Sequence, residues 1–185
     1  MTDNQMMIAI IEEIERQLTL VSFGVAGDTF EVSRSQQPTK QYVGADKDDP
    51  IKTRVFLFSI TKGSDGHGRN YTTGEEFTRT DFQQKTKTLQ ISVAHYFNFE
   101  DPSARTPEDV AELIRDLMDS PDAIAALREQ KIFLQDVSSV RPVFFTNDKD
   151  RFESMPNFDL QVNYSTSITK SAGYVDIAGC DVEGI

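Results

Sequence analysis

Ser-Ile-Thr-Lys occurs twice in this chain, at Ser59 to Lys62 and at Ser167 to Lys170. The spacing matches the Ser-x-x-Lys nucleophile motif of penicillin-recognising enzymes, where the serine opens a helix and two further motifs complete the site. Here both copies end runs of strand character and the partner motifs are missing, so they read as strand ends. His67 lies in a glycine-rich stretch and His95 in a strand; neither has a second His or Cys at ligand spacing. They read as a surface residue and a sheet residue, and no zinc site is indicated. Asp46, Asp48 and Asp49, and the pair Asp148 and Asp150, offer oxygen ligands but lack the glycine and distal glutamate of an EF-hand loop. Asn70-Tyr-Thr72 and Asn163-Tyr-Ser165 match glycosylation acceptors, chance matches in a chain without a secretory signal. Cys180, the single cysteine, reads as a small residue near the C-terminal strand. No catalytic, cofactor-binding or metal residues emerge, and the expectation is a protein that is not an enzyme and takes no cofactor.

The elements that would position such residues are clearer. From Phe158 to Ile168, Phe158, Leu160, Val162, Tyr164, Thr166 and Ile168 alternate with Asp159, Gln161, Asn163, Ser165 and Ser167, the period of a strand with one dry face. Thr88 to Phe97 repeats the pattern with Leu89, Ile91, Val93 and Phe97 on one side. Arg54 to Ile60 is apolar on both faces and predicts a central strand covered on each side. Thr29 to Arg34 predicts a short strand, and Ile132 to Phe145 one or two strands with Pro142 at an edge or bulge. Met7, Ile10, Ile11, Ile14 and Leu18 predict an amphipathic helix over 4–18, opened by a capping box from Thr2 and Gln5. Thr106-Pro-Glu-Asp opens a second helix with Val110, Leu113, Ile114 and Leu117 as its buried stripe, and Ser120-Pro121-Asp122 opens a third carrying Ile124 and Leu127. The expected class is α+β: a largely antiparallel, mixed sheet flanked by N-terminal and central helices, one domain over 1–185. Two mobile loops are expected, at about 35–52 and at 62–76, the latter with four glycines and little to bury, either a hairpin tip or a contact arm.

Composition narrows the function classes. Thirty acidic against 19 basic residues give a formal charge of −11, and no Lys/Arg cluster stands out in the sequence. Such a chain repels a phosphate backbone, so DNA is expected to pass it without specific binding. With 38% hydrophobic residues and 13 Phe there is enough apolar material for a core. No run approaches the roughly 20 apolar residues of a membrane helix. Met1 to Ile11 lacks the basic start and cleavage site of a signal peptide, which predicts maturation in a reducing compartment.

The order of these elements resembles the tail-terminator, or neck terminator, proteins of long-tailed bacteriophages. The resemblance runs over residues 28 to 178. It rests on Leu89-Gln-Ile-Ser-Val-Ala-His-Tyr-Phe97 before a capped helix pair, on Arg141-Pro-Val-Phe-Phe145, and on Arg151 leading through Phe158-Asp-Leu-Gln-Val-Asn-Tyr164 to a last strand. It implies a helix-flanked sheet and a homohexameric ring that caps the tail tube, joins it to the head connector and leaves a DNA-conducting channel. Its implied partners are copies of itself, the tail tube protein and neck or head-completion proteins, in a virion assembled in the host cytoplasm. The Lys62 to Glu76 segment is longer than the resemblance leads one to expect. Another neck, head-completion or tail-tube-like subunit is the alternative within that class; a small cytosolic ligand-binding domain or hydrolase is the alternative outside it.

Overall fold

A computed structural model of the chain describes residues 1–21, 23, 29–34, 51–72, 78–97, 100–146 and 152–171. Helix α1 (Asp3–Leu20) begins at the expected capping box, in which Thr2 accepts from the Gln5 amide and the Gln5 side chain accepts from the Thr2 amide. Met6, Ile10, Ile14 and Leu18 form its buried face, the three- and four-residue rhythm that puts apolar side chains on one stripe. Helices α2 (Pro107–Met118) and α3 (Pro121–Glu129) start at Thr106 and Ser120, each with proline in the first turn. The buried stripe of α2 is Val110, Ala111, Ile114 and Met118, with Leu113 and Leu117 only partly covered. That is a shift of a fraction of a turn from the expected stripe. On α3 it is Ala123, not Ile124, that joins Leu127 in the core.

Strands β1 (Phe30–Arg34), β2 (Thr53–Thr72), β3 (Thr78–His95), β4 (Ile132–Val137) and β7 (Asn157–Ser171) form one sheet in the order β1-β2-β3-β7-β4. Only β1 and β2 run parallel, so the sheet is mixed and largely antiparallel. Strands β5 (Phe144–Thr146) and β6 (Phe152–Ser154) make a separate small hairpin. Between β4 and β5, Arg141 bridges Asn157, and Pro142 sits where no ladder amide is needed. The α+β reading therefore holds.

All three helices lie on one face of the sheet: α1 packs on β1, α2 on β3 and β7, and α3 on β4. Register lines up the residues beneath them. Val32, Val55, Val93, then Leu57, Ile91, Phe158, then Leu89, Leu160, Val137 run across the strands as rows. The dry face expected of Phe158, Leu160, Val162 and Tyr164 is fully buried. Strand β2 lies inside the sheet between β1 and β3, as expected, while β3, paired with β2 throughout and with β7 as far as Ser92, is the middle strand. The two faces of β2 are covered unequally, because every helix sits on one side: Val55 and Leu57 are buried beneath the helices, whereas on the other face Arg54 is buried and Phe56 and Phe58 are half-buried, and Ile60, at a bulge, is exposed.

The second expected loop also differs. Lys62 to Thr72 continues β2 as strand, in register with β3 as far as Thr72 opposite Thr78. Ladder hydrogen bonds to β3, which is itself held by β7, supply the order that the side chains of this tract cannot. Residues 73–77 lie outside the described residues, as do 35–50 of the first expected loop and the Tyr174 to Ile177 segment.

Candidate interaction surface

Three strands outrun the helical layer. Strand β1 leaves β2 at Leu57, and β4 leaves β7 at Tyr164. Beyond those points residues 61–72, 78–88 and 163–171 form a three-stranded tongue, about 35 Å long at 3.3 Å per strand residue. Past Tyr164 on β7 and along 61–72 of β2 its edges lack a strand partner among the described residues.

The root of the tongue is latched by the start of α1. Asp3 accepts from Tyr164 Oη at 2.6 Å, from Lys62 Nζ at 2.8 Å and from Lys87 Nζ at 3.5 Å. Burial pushes the Asp3 carboxyl up, but the hydrogen bonds from Lys62 and Tyr164 and the Lys87 charge outweigh it and hold the group well below the usual carboxylate range. Burial first, then the bond to Asp3, pushes the Tyr164 phenol up, so it stays a donor. The Met1 ammonium adds a bond to the Ser165 carbonyl at 3.3 Å. Beside the latch is a cavity of about 370 Å³ lined by Asp3, Asn4, Met7, Arg34, Leu57, Ser59 and Lys87.

This latch predicts a pH dependence. A carboxyl whose folded-state value is depressed contributes stability that is fully present above its ordinary value of 3.8 and is lost as pH falls toward the folded value. Asp3→Asn is expected to cost about 1–2 kcal/mol at neutral pH, because the Lys87 ammonium loses its charged partner. Denaturant unfolding should show the gap between wild type and variant closing below about pH 4. A gap constant down to pH 2 would mean that the charge of Asp3 is not what the latch uses.

The two faces of the tongue differ in charge. Cross-strand register puts Lys62 opposite Lys87, Ser64 opposite Lys85, Arg69 opposite Asp81, and Tyr164 opposite Lys85. Arg79 lies two residues before Asp81 and so shares its face. Lys62, Arg69, Arg79, Lys85 and Lys87 therefore occupy the face that continues from under the helices. Asp81 lies among them, 2.9 Å from Arg79 Nε and 3.5 Å from Arg69 Nε. The opposite face carries Gly63, Gly68, Thr80, Phe82, Gln84, Thr86, Asn163, Ser165, Ser167 and Thr169, none of them charged. Thr80 and Thr169 meet across it at 3.1 Å, and Thr86 Oγ1 donates to Asn163 Oδ1 at 2.7 Å. The absence of a basic cluster in the linear sequence is thus corrected by the register.

The motif residues fall into this frame without forming a reaction centre. Ser59 and Lys62 belong to β2 on either side of a bulge, with Ser59 lining the root cavity and the Lys62 ammonium held by Asp3. Ser167 to Lys170 lies in β7, with Ser167 opposite Phe82. His95 is buried with Nδ1 2.8 Å from Thr53 Oγ1, and His67 is exposed on the tongue opposite Gln83. The Asn163 amide is buried and engaged by Thr86. Asp46, Asp48, Asp49, Asp148, Asp150 and Cys180 lie outside the described residues. Among the described residues no group of three or more His, Cys, Asp or Glu is arranged to hold a metal ion, and no helix is long and apolar enough to cross a membrane.

The family model of the E217 gateway protein gp29 matches residues 5–174. The chain belongs to this family. It is a phage neck, or connector, family, and its members are structural proteins of the virion. Comparison with curated proteins found no match. The gateway match takes in every described strand and helix core, the whole tongue included. Sequence reasoning reached the phage neck through element order, but missed the tongue's charged face, whose signal lies in pairing rather than in any local run.

Proposed function

We propose that this gateway-family chain works as a ring-forming tail terminator: six copies close the finished tail tube, join it to the head connector and surround the channel through which DNA passes. The observation that carries this reading is the tongue. A subunit acting alone has no use for a long three-stranded extension with open edges and little core, whereas a ring subunit needs surfaces that cross to its neighbours. The acidic composition supports a conduit, since a lumen rich in carboxylates does not retain phosphate.

Electron microscopy of the purified protein is expected to show rings about 80–120 Å across, the size set by closing subunits of this mass. Added to tail tubes that lack a terminator, the protein is expected to cap their ends. Binding to connector rings but never to tube ends would instead favour a head-completion role. A gel-shift assay at low salt, where a phosphate-binding surface is most visible, is expected to show no retention of duplex DNA.

A further inference from the structure

We infer that the basic face of the tongue docks on the acidic helical layer of a second copy of this chain. The inference rests on the ring reading above and says which surfaces meet. Residues 61–72, 78–88 and 163–171 hold six basic and two acidic side chains, a net +4 in a chain of −11, which leaves −15 on the remainder. Helices α1, α2 and α3 hold ten acidic and three basic residues, a net −7. Along α2 and its C-cap, Asp109, Glu112, Asp116 and Asp119 recur at three- and four-residue spacing as one exposed stripe.

Within one subunit each surface is paired internally but keeps an excess of its own sign. On the tongue Asp3 engages Lys62 and Lys87 at the root and Asp81 lies against both Arg69 and Arg79, which with Lys85 makes five bases to two carboxylates; on the α2 stripe the single Arg115 lies against both Asp116 and Asp119. Arg69 stands about 20 Å further along the strand, past the helices of its own subunit. The patterns of the two surfaces are reciprocal. The tongue has Asp81 set among bases; the α2 stripe has Arg115 set among acids, 2.6 Å from Asp116. Reciprocal mixed charge fits a protein surface better than a uniform phosphate chain. The whole-chain charge also steers a phosphate polymer away while leaving the tongue free to find a carboxylate-rich patch.

The test is a charge swap in the full-length chain. Arg69→Glu with Lys85→Glu reverses the tongue, and Glu112→Lys with Asp116→Lys reverses the helical stripe. Each double variant is expected to keep its melting temperature and to raise the concentration at which rings form by at least about tenfold, read by sedimentation velocity and electron microscopy. An equimolar mixture of the two is expected to restore rings, since every contact then joins opposite charges around an even-numbered ring. If the tongue variant does not fold, the stripe variant alone decides. Rings formed normally by either folded variant would overturn the docking while leaving the ring intact. Wild type that forms no rings at any concentration would overturn both. Salt-dependent duplex DNA binding, lost in the tongue variant, would assign the basic face to nucleic acid instead.

Discussion

Leu160→Asp is expected to yield no soluble folded protein. Leu160 is fully buried, with Leu89 opposite it on β3 and Val137 opposite it on β4, so no cation stands across the strand from a carboxylate placed there. An unpaired buried charge costs several kcal/mol, against a total stability of about 5–15 kcal/mol for a domain. Val162, two residues on and equally buried, gives the informative contrast. Its partner on β3 is Lys87, whose side chain is buried at the root of the tongue with its ammonium against Asp3 at the start of α1. Val162→Asp therefore sets a carboxylate beside a buried cation and is expected to fold, with a lowered melting temperature. Soluble yield and thermal melting of the two variants check this. The opposite order, Leu160→Asp folded and Val162→Asp not, would mean that the β3–β7 register is wrong.

That register also marks where the sequence could be read and where it could not. The helix starts were legible because their signals are local: Thr2 with Gln5, Thr106 with Asp109, and Ser120 before Pro121 each satisfy amides within three residues. β7 was legible because its alternation runs unbroken from Phe158 to Ile168. The β2 limb of the tongue was not, because Lys62 to Thr72 is rich in glycine and poor in apolar side chains, and its order comes from ladder bonds to a partner strand. Its charged face was hidden further by two bulges. Lys62 and Arg69 are an odd number of residues apart, which places them on opposite faces of a regular strand. The irregularity between Ser64 and Gly66 inserts one residue and returns them to the same face. The irregularity between Ser59 and Thr61 does the same for Ser59 and Lys62, so that both line or border the root cavity. A parity switch of this kind leaves no mark in composition or spacing.

Removing the tongue as a unit is expected to leave the body folded and to abolish ring formation. The cut follows the register: residues 63–86 are replaced by Asn-Gly, joining Lys62 to Lys87, which already face each other across β2 and β3. The Asp3 latch keeps both its lysines and Tyr164, and the rows of core residues beneath the helices are untouched. What is lost is mostly polar, and none of its described side chains is buried; Phe82, the largest apolar side chain described in the segment, is already 38% exposed. The melting temperature is therefore expected to fall by only a few degrees, with the end of β7 beyond Ser165 fraying once its partner is gone. Deleting 63–74 alone is a worse test, because it strips β2 from β3 and leaves 78–86 as a bare edge. Assembly is expected to fail outright, since the truncation removes the basic face, the uncharged face and the open edges together, whereas the charge swap weakens only one of them. Thermal melting and hydrogen exchange read the body, and sedimentation with electron microscopy reads the ring. Unfolding of the truncated chain would show that the tongue belongs to the cooperative core; a folded truncation that still forms rings would remove the tongue from the interface.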